Sequence, residues 1–229
     1  MRFSTVVSFV ALSIAAAACS SSDSAAPAAK AGTVNPQAAK STATQAVQAS
    51  VTAVKSNDGQ ASAGQFMAAA MSAQGIITPS YGAMLQSEHL ESSLAAGTCD
   101  CTGTTCTFTD CVQGGTTTMN GTMSWGSGHV TCDLTYKTTQ TYPLQMTTKC
   151  DLTVSDTSIA GTLTSSGTVD LSGVSGGAAQ GAYSWSSDTT FTAVTYASSG
   201  QPTGGSVTIN ASYEIAGQAY AGSATVTFP

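Results

Sequence analysis

Seven cysteines against only two histidines define most of the chemistry open to this sequence. Six of them, Cys99, Cys101, Cys106, Cys111, Cys132 and Cys150, share one stretch of the chain. An even set of thiols in an oxidising compartment reads as three disulfides. The competing chemistry is a metal site from the Cys99–Cys111 cluster. That cluster lacks the paired C-x2-C knuckles of zinc sites and has no neighbouring histidine, so no metal is expected. Catalysis requires positioned acids, bases or nucleophiles. His89 lies between Glu88 and Leu90 on an expected helix, and His129 opens an expected strand. Both read as surface or edge residues. Asp110, Asp133 and Asp151 stand among cysteines and strand residues without a motif. No nucleophile elbow, P-loop, dinucleotide fingerprint or EF-hand loop occurs. The Gly-rich stretch from Gly173 to Gly181 carries no lysine and reads as a loop. Neither a cofactor nor an enzymatic activity is expected. Trp125, Trp185, Tyr183, Tyr196, Tyr213 and Tyr220 offer faces for a pocket or a sugar, but strand aromatics more often pack.

Cys19 stands apart from the other six. Arg2 is the single positive side chain before the apolar stretch Val6 to Ala18. That stretch is too short to span a bilayer, which takes about 20 apolar residues. A charged start, a short apolar core and small residues at the end make a secretory signal over residues 1–18. The end, Ala15-Ala16-Ala17-Ala18-Cys19, resembles the lipobox of bacterial lipoproteins. Alanine stands where leucine is commonest. The resemblance implies diacylglycerol on Cys19, cleavage before it and acylation of the new amine, palmitate being the usual acyl chain. Ser20 follows where Asp would favour the inner membrane, so outer-membrane attachment is expected, facing the periplasm or the cell surface. Two or more acyl signals make such attachment stable.

Charged residues are 8% of the chain, far below the roughly 25% of an ordinary soluble domain, and the net charge is −6. So few cations cannot neutralise a row of phosphates, which disfavours nucleic acid as a partner. Thr, Ser, Asn and Gln must supply the polar surface, read here as a solvated sheet face.

The elements that hold the cysteines follow from periodicity. Residues 19–35 are Ser, Ala, Pro and Gly with little else, and read as a lipidated flexible tether. Residues 36–97 are helical in pattern. Ala39, Ala43, Val47, Ser50, Val51 and Val54 fall on one face. A second helix is expected from Ser62, with Gln65 completing a capping box, to a stop at Gly75. A third is expected after Pro79, carrying Ala83, Leu90 and Leu94. Composition then shifts, and residues 98–229 form a Thr-rich domain of alternating, β-branched strands. Strands are expected over 104–112, 116–125, 129–139, 144–155, 158–172, 179–197, 205–216 and 218–228. Short Gly-containing breaks imply antiparallel neighbours. Asn120-Gly121 is a hairpin signal able to split the second strand, which leaves the strand count open by one or two.

One disulfide follows from register. A turn centred on Thr141 puts Cys132 opposite Cys150, Val130 opposite Leu152, Leu134 opposite Thr148 and Tyr136 opposite Met146. These pairs share one largely apolar face, while Thr131, Asp133, Thr135, Lys149 and Asp151 take the other. The pairing of Cys99, Cys101, Cys106 and Cys111 stays open among three connectivities.

The expected architecture is α+β, mainly β. N-terminal helices pack on a curved antiparallel meander or a partly closed barrel, stapled by disulfides. The expected function is a non-catalytic role, structural or binding, at the cell envelope, with the membrane as partner through the lipid anchor and an envelope protein as a further one. The alternative is a carrier that holds a lipid or other apolar ligand between sheet and helices.

Overall fold

The computed structural model describes residues 7–8, 29–32, 34–56, 58–74, 76, 99–113, 117–138, 143–170 and 182–229. Cys19, His89, the expected third helix and the Gly173–Gly181 stretch lie outside the described residues. The chain is mainly β, with two helices. Its elements are β1 (Val7–Ser8), β2 (Lys30–Ala31), α1 (Pro36–Ser56), α2 (Gly59–Gln74), β3 (Cys99–Thr102), β4 (Thr105–Gln113), β5 (Thr117–Gly126), β6 (His129–Thr138), β7 (Leu144–Val154), β8 (Ser158–Asp170), β9 (Ala182–Tyr196), β10 (Pro202–Ile215) and β11 (Gln218–Thr227). From β3 to β11 each strand pairs antiparallel with the next. Beyond β11 the edge takes β1 antiparallel and β2 in parallel, so the sheet is mixed and, among the described residues, open. Of the two expected forms, the partly closed barrel is corrected to an open sheet, while the antiparallel meander runs from β3 to β11.

Alternation explains why these segments are strands. β6 and β7 bury every second side chain, so Val130, Cys132, Leu134 and Tyr136 face inward with Leu144, Met146, Cys150 and Leu152. The eight expected strands all form; the ends expected at 116, 139, 172 and 179 lie outside the described residues, and the other ends fall within three residues of expectation. β3 is an addition, because Gly103 at φ 61 builds a tight turn just before the first expected strand and folds Cys99–Thr102 back on β4. The Asn120-Gly121 hairpin does not form. β5 runs unbroken, and Asn120 instead accepts from the backbone N–H of Asp110 (2.8 Å) and donates to its carboxylate (3.1 Å). Gly121, at φ 119, sits where a Cβ would come within 2.0 Å of the Asp133 carbonyl oxygen.

The helices are set by caps. Asn35 Oδ1 accepts from the backbone N–H groups of Gln37 and Ala38 at the start of α1. α2 starts three residues before the expected cap. Asp58 is its N-cap, accepting from Ala61 N–H at 2.9 Å. Ser62 is instead buried and donates across to the Ala49 carbonyl at 2.7 Å, which ties the two helices together. Of the expected tether, positions 30–31 are paired with Tyr220 and Ala221 of β11, and Gly32 N–H donates to the Ala221 carbonyl. One buried cluster contains residues of both helices and of the strands.

Candidate functional site

The cysteines are positioned by register. Cys132 lies opposite Cys150 in the β6–β7 hairpin, flanked by Val130↔Leu152 and Leu134↔Thr148, and the two are joined. Their Cα separation of 4.8 Å is near the roughly 4.5 Å of a non-hydrogen-bonded pair, where side chains approach most closely. Cys101 pairs with Cys106 across the Gly103-Thr104 turn at 4.0 Å, and Cys99 with Cys111 at 5.3 Å. The last pair could not be read from alternation alone. A register shift between Phe108 and Cys111, with Asp110 at φ 47, turns Cys111 back towards Cys99. All six sulfurs are thus engaged in disulfides. Among the described residues, no group of three or more His, Cys, Asp or Glu is placed to hold a metal ion.

The aromatic residues mostly pack. Trp125, Trp185, Tyr183 and Tyr196 are buried, and Tyr213 and Tyr220 are half-buried. Tyr213 stacks on Tyr220 at 4.7 Å, and Tyr183 lies 5.8 Å from both Trp185 and Tyr213, so four rings run in contact across β9, β10 and β11. Trp125 occupies the space a Cβ on Gly59 would need, and Trp185 lies over Gly167. The Tyr136 hydroxyl donates to the Ala63 carbonyl of α2 at 2.8 Å, and burial pushes its pKa far above the usual tyrosine value. Tyr196 donates to the Ser155 carbonyl and carries the Lys55 ammonium 5.0 Å from its ring centre. Burial, then the Asp156 charge, raise its pKa.

Hydroxyls also enter the interior, which composition did not reveal. Thr148, Ser165, Ser187 and Thr189 are buried. Ser165 and Ser187 bond each other at 2.7 Å across β8 and β9, while the Thr148 hydroxyl and the Trp185 indole N–H have no partner among the described residues. Their row continues across the sheet as Leu134, Thr148, Ser165, Ser187 and Ala211.

The outer face carries the expected hydroxyl surface. Ser124, Thr131, Asp151, Thr162, Thr190, Thr208 and Thr225 form one continuous cross-strand row. The Asp133–Lys149 ion pair (2.9 Å) on this face is exposed and contributes little to stability. His129 is an exposed residue at the start of β6, opposite Gly126 and Thr153. A depression of about 460 Å³ lies between Lys137, Thr138, Pro143, Leu144, Thr168 and Asp170, at strand ends that adjoin positions outside the described residues. No family model, curated protein or solved structure matches the chain.

Proposed function

We propose that this chain is a bacterial lipoprotein with a non-catalytic, structural or binding role at the cell envelope. Residues 1–18 are its signal peptide, and Cys19 is its lipidated first residue. The observation that carries the reading is the complete pairing of the six other cysteines into three disulfides. Such staples persist in oxidising compartments outside the cytoplasm, and the seventh cysteine is the one that directly follows the signal. In this reading the N-terminal helices cover the apolar face of a curved sheet, and the hydroxyl face looks outward. The protein is held at the outer membrane by its acyl chains, on the periplasmic or the cell-surface side, and works through contact with another envelope component.

The carrier reading is less well supported. The contacts between helices and sheet are filled by protein groups: Tyr136 on Ala63, Trp125 against Gly59 and Lys55 over Tyr196. Labelled palmitate should enter the wild-type protein and leave it in the membrane fraction. Cys19→Ala should remove the label and either release the protein or leave its signal uncleaved. A variant processed and membrane-bound like wild type sinks the lipoprotein reading. A lipid retained in native mass spectra beyond the covalent one would restore the carrier.

A further inference from the structure

β11 is the last long strand of the sheet, and its outer edge offers backbone N–H and C=O groups to any chain that can lie beside it. Proteins usually blunt such an edge with charge, proline or a bulge. β11 reads Gln-Ala-Tyr-Ala-Gly-Ser-Ala-Thr-Val-Thr, without a charge or a proline. Its pairing with β10 runs without a register shift from Ser206↔Thr227 to Ile215↔Gln218. The chain covers the edge with its own segments. Lys30–Ala31 takes Tyr220 and Ala221 in parallel and brings one positive charge to that end. Val7–Ser8 takes Val226 and Thr225 antiparallel at the other end.

Val7 and Ser8 belong to the signal peptide of the proposed function, and this step rests on that reading. Cleavage before Cys19 removes the strand that occupies Thr225–Val226, while Lys30–Ala31 stays. We infer that processing uncovers a pairing edge at Ser223–Thr227, and that a second copy of this chain occupies it, β11 against β11 about a twofold axis at Thr225. Three observations favour a second copy. The edge accepts an antiparallel strand, as Val7–Ser8 shows. The strand carries no charge, so two copies meet without repulsion. A register centred on Thr225 also keeps the faces matched. Ala224 and Val226, both buried, fall opposite Val226 and Ala224 of the second copy, and Ser223 falls opposite Thr227 on the hydroxyl face. Lipid anchors in one membrane raise the effective concentration of the two edges.

The test compares the mature wild-type protein in mild detergent with the precursor that keeps its signal, by sedimentation velocity. N-terminal mass is read on both samples. The mature protein should contain two copies and the precursor one. Thr225→Lys should lower the dimer fraction by about tenfold, because like charges meet at the axis. An equal mixture of Thr225→Lys and Thr225→Glu should regain it. A monomeric mature protein, a dimeric precursor, or a dimer indifferent to Thr225→Lys would overturn the inference, as would cross-links from this edge to a different envelope protein. A wild-type chain whose N-terminus is still Met1 would count against the processing reading instead. The edge is then tested by deleting residues 2–18, with the same two-copy result expected.

Discussion

Thr148→Val should stabilise the protein. Thr148 is fully buried on β7, with Leu134 and Ser165 opposite it on the neighbouring strands. Its hydroxyl has no partner among the described residues. Burying a hydroxyl without a hydrogen bond costs about 1–3 kcal/mol. Valine keeps the branch at Cβ and replaces the hydroxyl with a methyl group, so about 1–2 kcal/mol should be gained. In a chain of this size that is roughly 2–4 °C in Tm per kcal/mol. The control removes the same atom two strands away. Ser187 is bonded to Ser165 at 2.7 Å in the interior, and Ser187→Ala strands the Ser165 hydroxyl. It should cost about 1–3 kcal/mol. Equilibrium urea unfolding with the disulfides intact, at equal m values, gives both numbers. The reasoning rests on the opposite signs. If Thr148→Val costs 1 kcal/mol or more, as Ser187→Ala does, the Thr148 hydroxyl is bonded in solution. The interior between sheet and helices is then wet, and the carrier reading gains ground.

Stability should also fall above about pH 10, the tyrosine value in an unfolded chain. Burial raises the folded pKa of Tyr136, so the unfolded state loses its proton first and is favoured as pH rises. Urea titrations at alkaline pH should show a slope near 1.4 kcal/mol per pH unit that Tyr136→Phe reduces, and an unchanged slope would show that Tyr136 is not held neutral. Gly59→Ala should destabilise by about 1–3 kcal/mol and shift Trp fluorescence, because its Cβ would come within 2.2 Å of the Trp125 ring. An unaltered Tm and emission spectrum would contradict that packing. Non-reducing peptide maps should link Cys132 to Cys150, Cys101 to Cys106 and Cys99 to Cys111. Replacing both Cys132 and Cys150 with Ala should cost up to about 3 kcal/mol, less to the extent that the hairpin already closes the loop.

The β6–β7 hairpin was legible in the sequence because two independent constraints agree there. Alternation fixes the face of each residue, and two cysteines must meet on one face. Val130↔Leu152, Cys132↔Cys150 and Tyr136↔Met146 all occur in that register. Of the four upstream cysteines, Cys101 and Cys106 do obey alternation, facing each other across the Gly103-Thr104 turn, but no strand was expected before 104. Cys99–Cys111 was not legible, because a β-bulge obeys no alternation. The shift after Phe108 sets two residues of β4, Thr109 and Asp110, against Asn120 of β5, and nothing in Thr109-Asp110 announces it beyond the tolerance of aspartate for positive φ. The start of α2 was misread for a related reason. Ser62 and Asp58 are both good caps, but Ser62 has a tertiary partner in the Ala49 carbonyl, and the cap falls to Asp58.

The inner hydroxyls show where composition misleads. Thr and Ser dominate the sheet, and reading them together as solvated surface treats polarity as the guide to burial. Parity decides instead. Thr147 points out and Thr148 points in, and Ser186 and Ser187 divide in the same way. Ser186 bonds Ser212 on the outer face, while Ser187 bonds Ser165 in the interior. What the inner row shares is small size: Thr148, Ser165, Ser187 and Ala211 cross the sheet in register. Most buried residues of α1 and α2 are small as well, with Ala39, Ala43, Ala46, Ala49, Ala53, Ala63, Ala69, Ala70 and Ala73 among them, and Val47, Val51, Phe66 and Met67 supply the bulk. Both helices contact β7 and β8. Small side chains on both sides permit a close approach, and the bulk of the core moves to the flanking rows of Tyr136, Met146 and Trp185 on one side and Leu163 and Ile209 on the other. Hydroxyls at such positions are tolerated when paired, as Ser165 and Ser187 are, and costly when not. Thr148 is the exception on this row, which is why its replacement by valine separates a dry packed interior from one built to hold something.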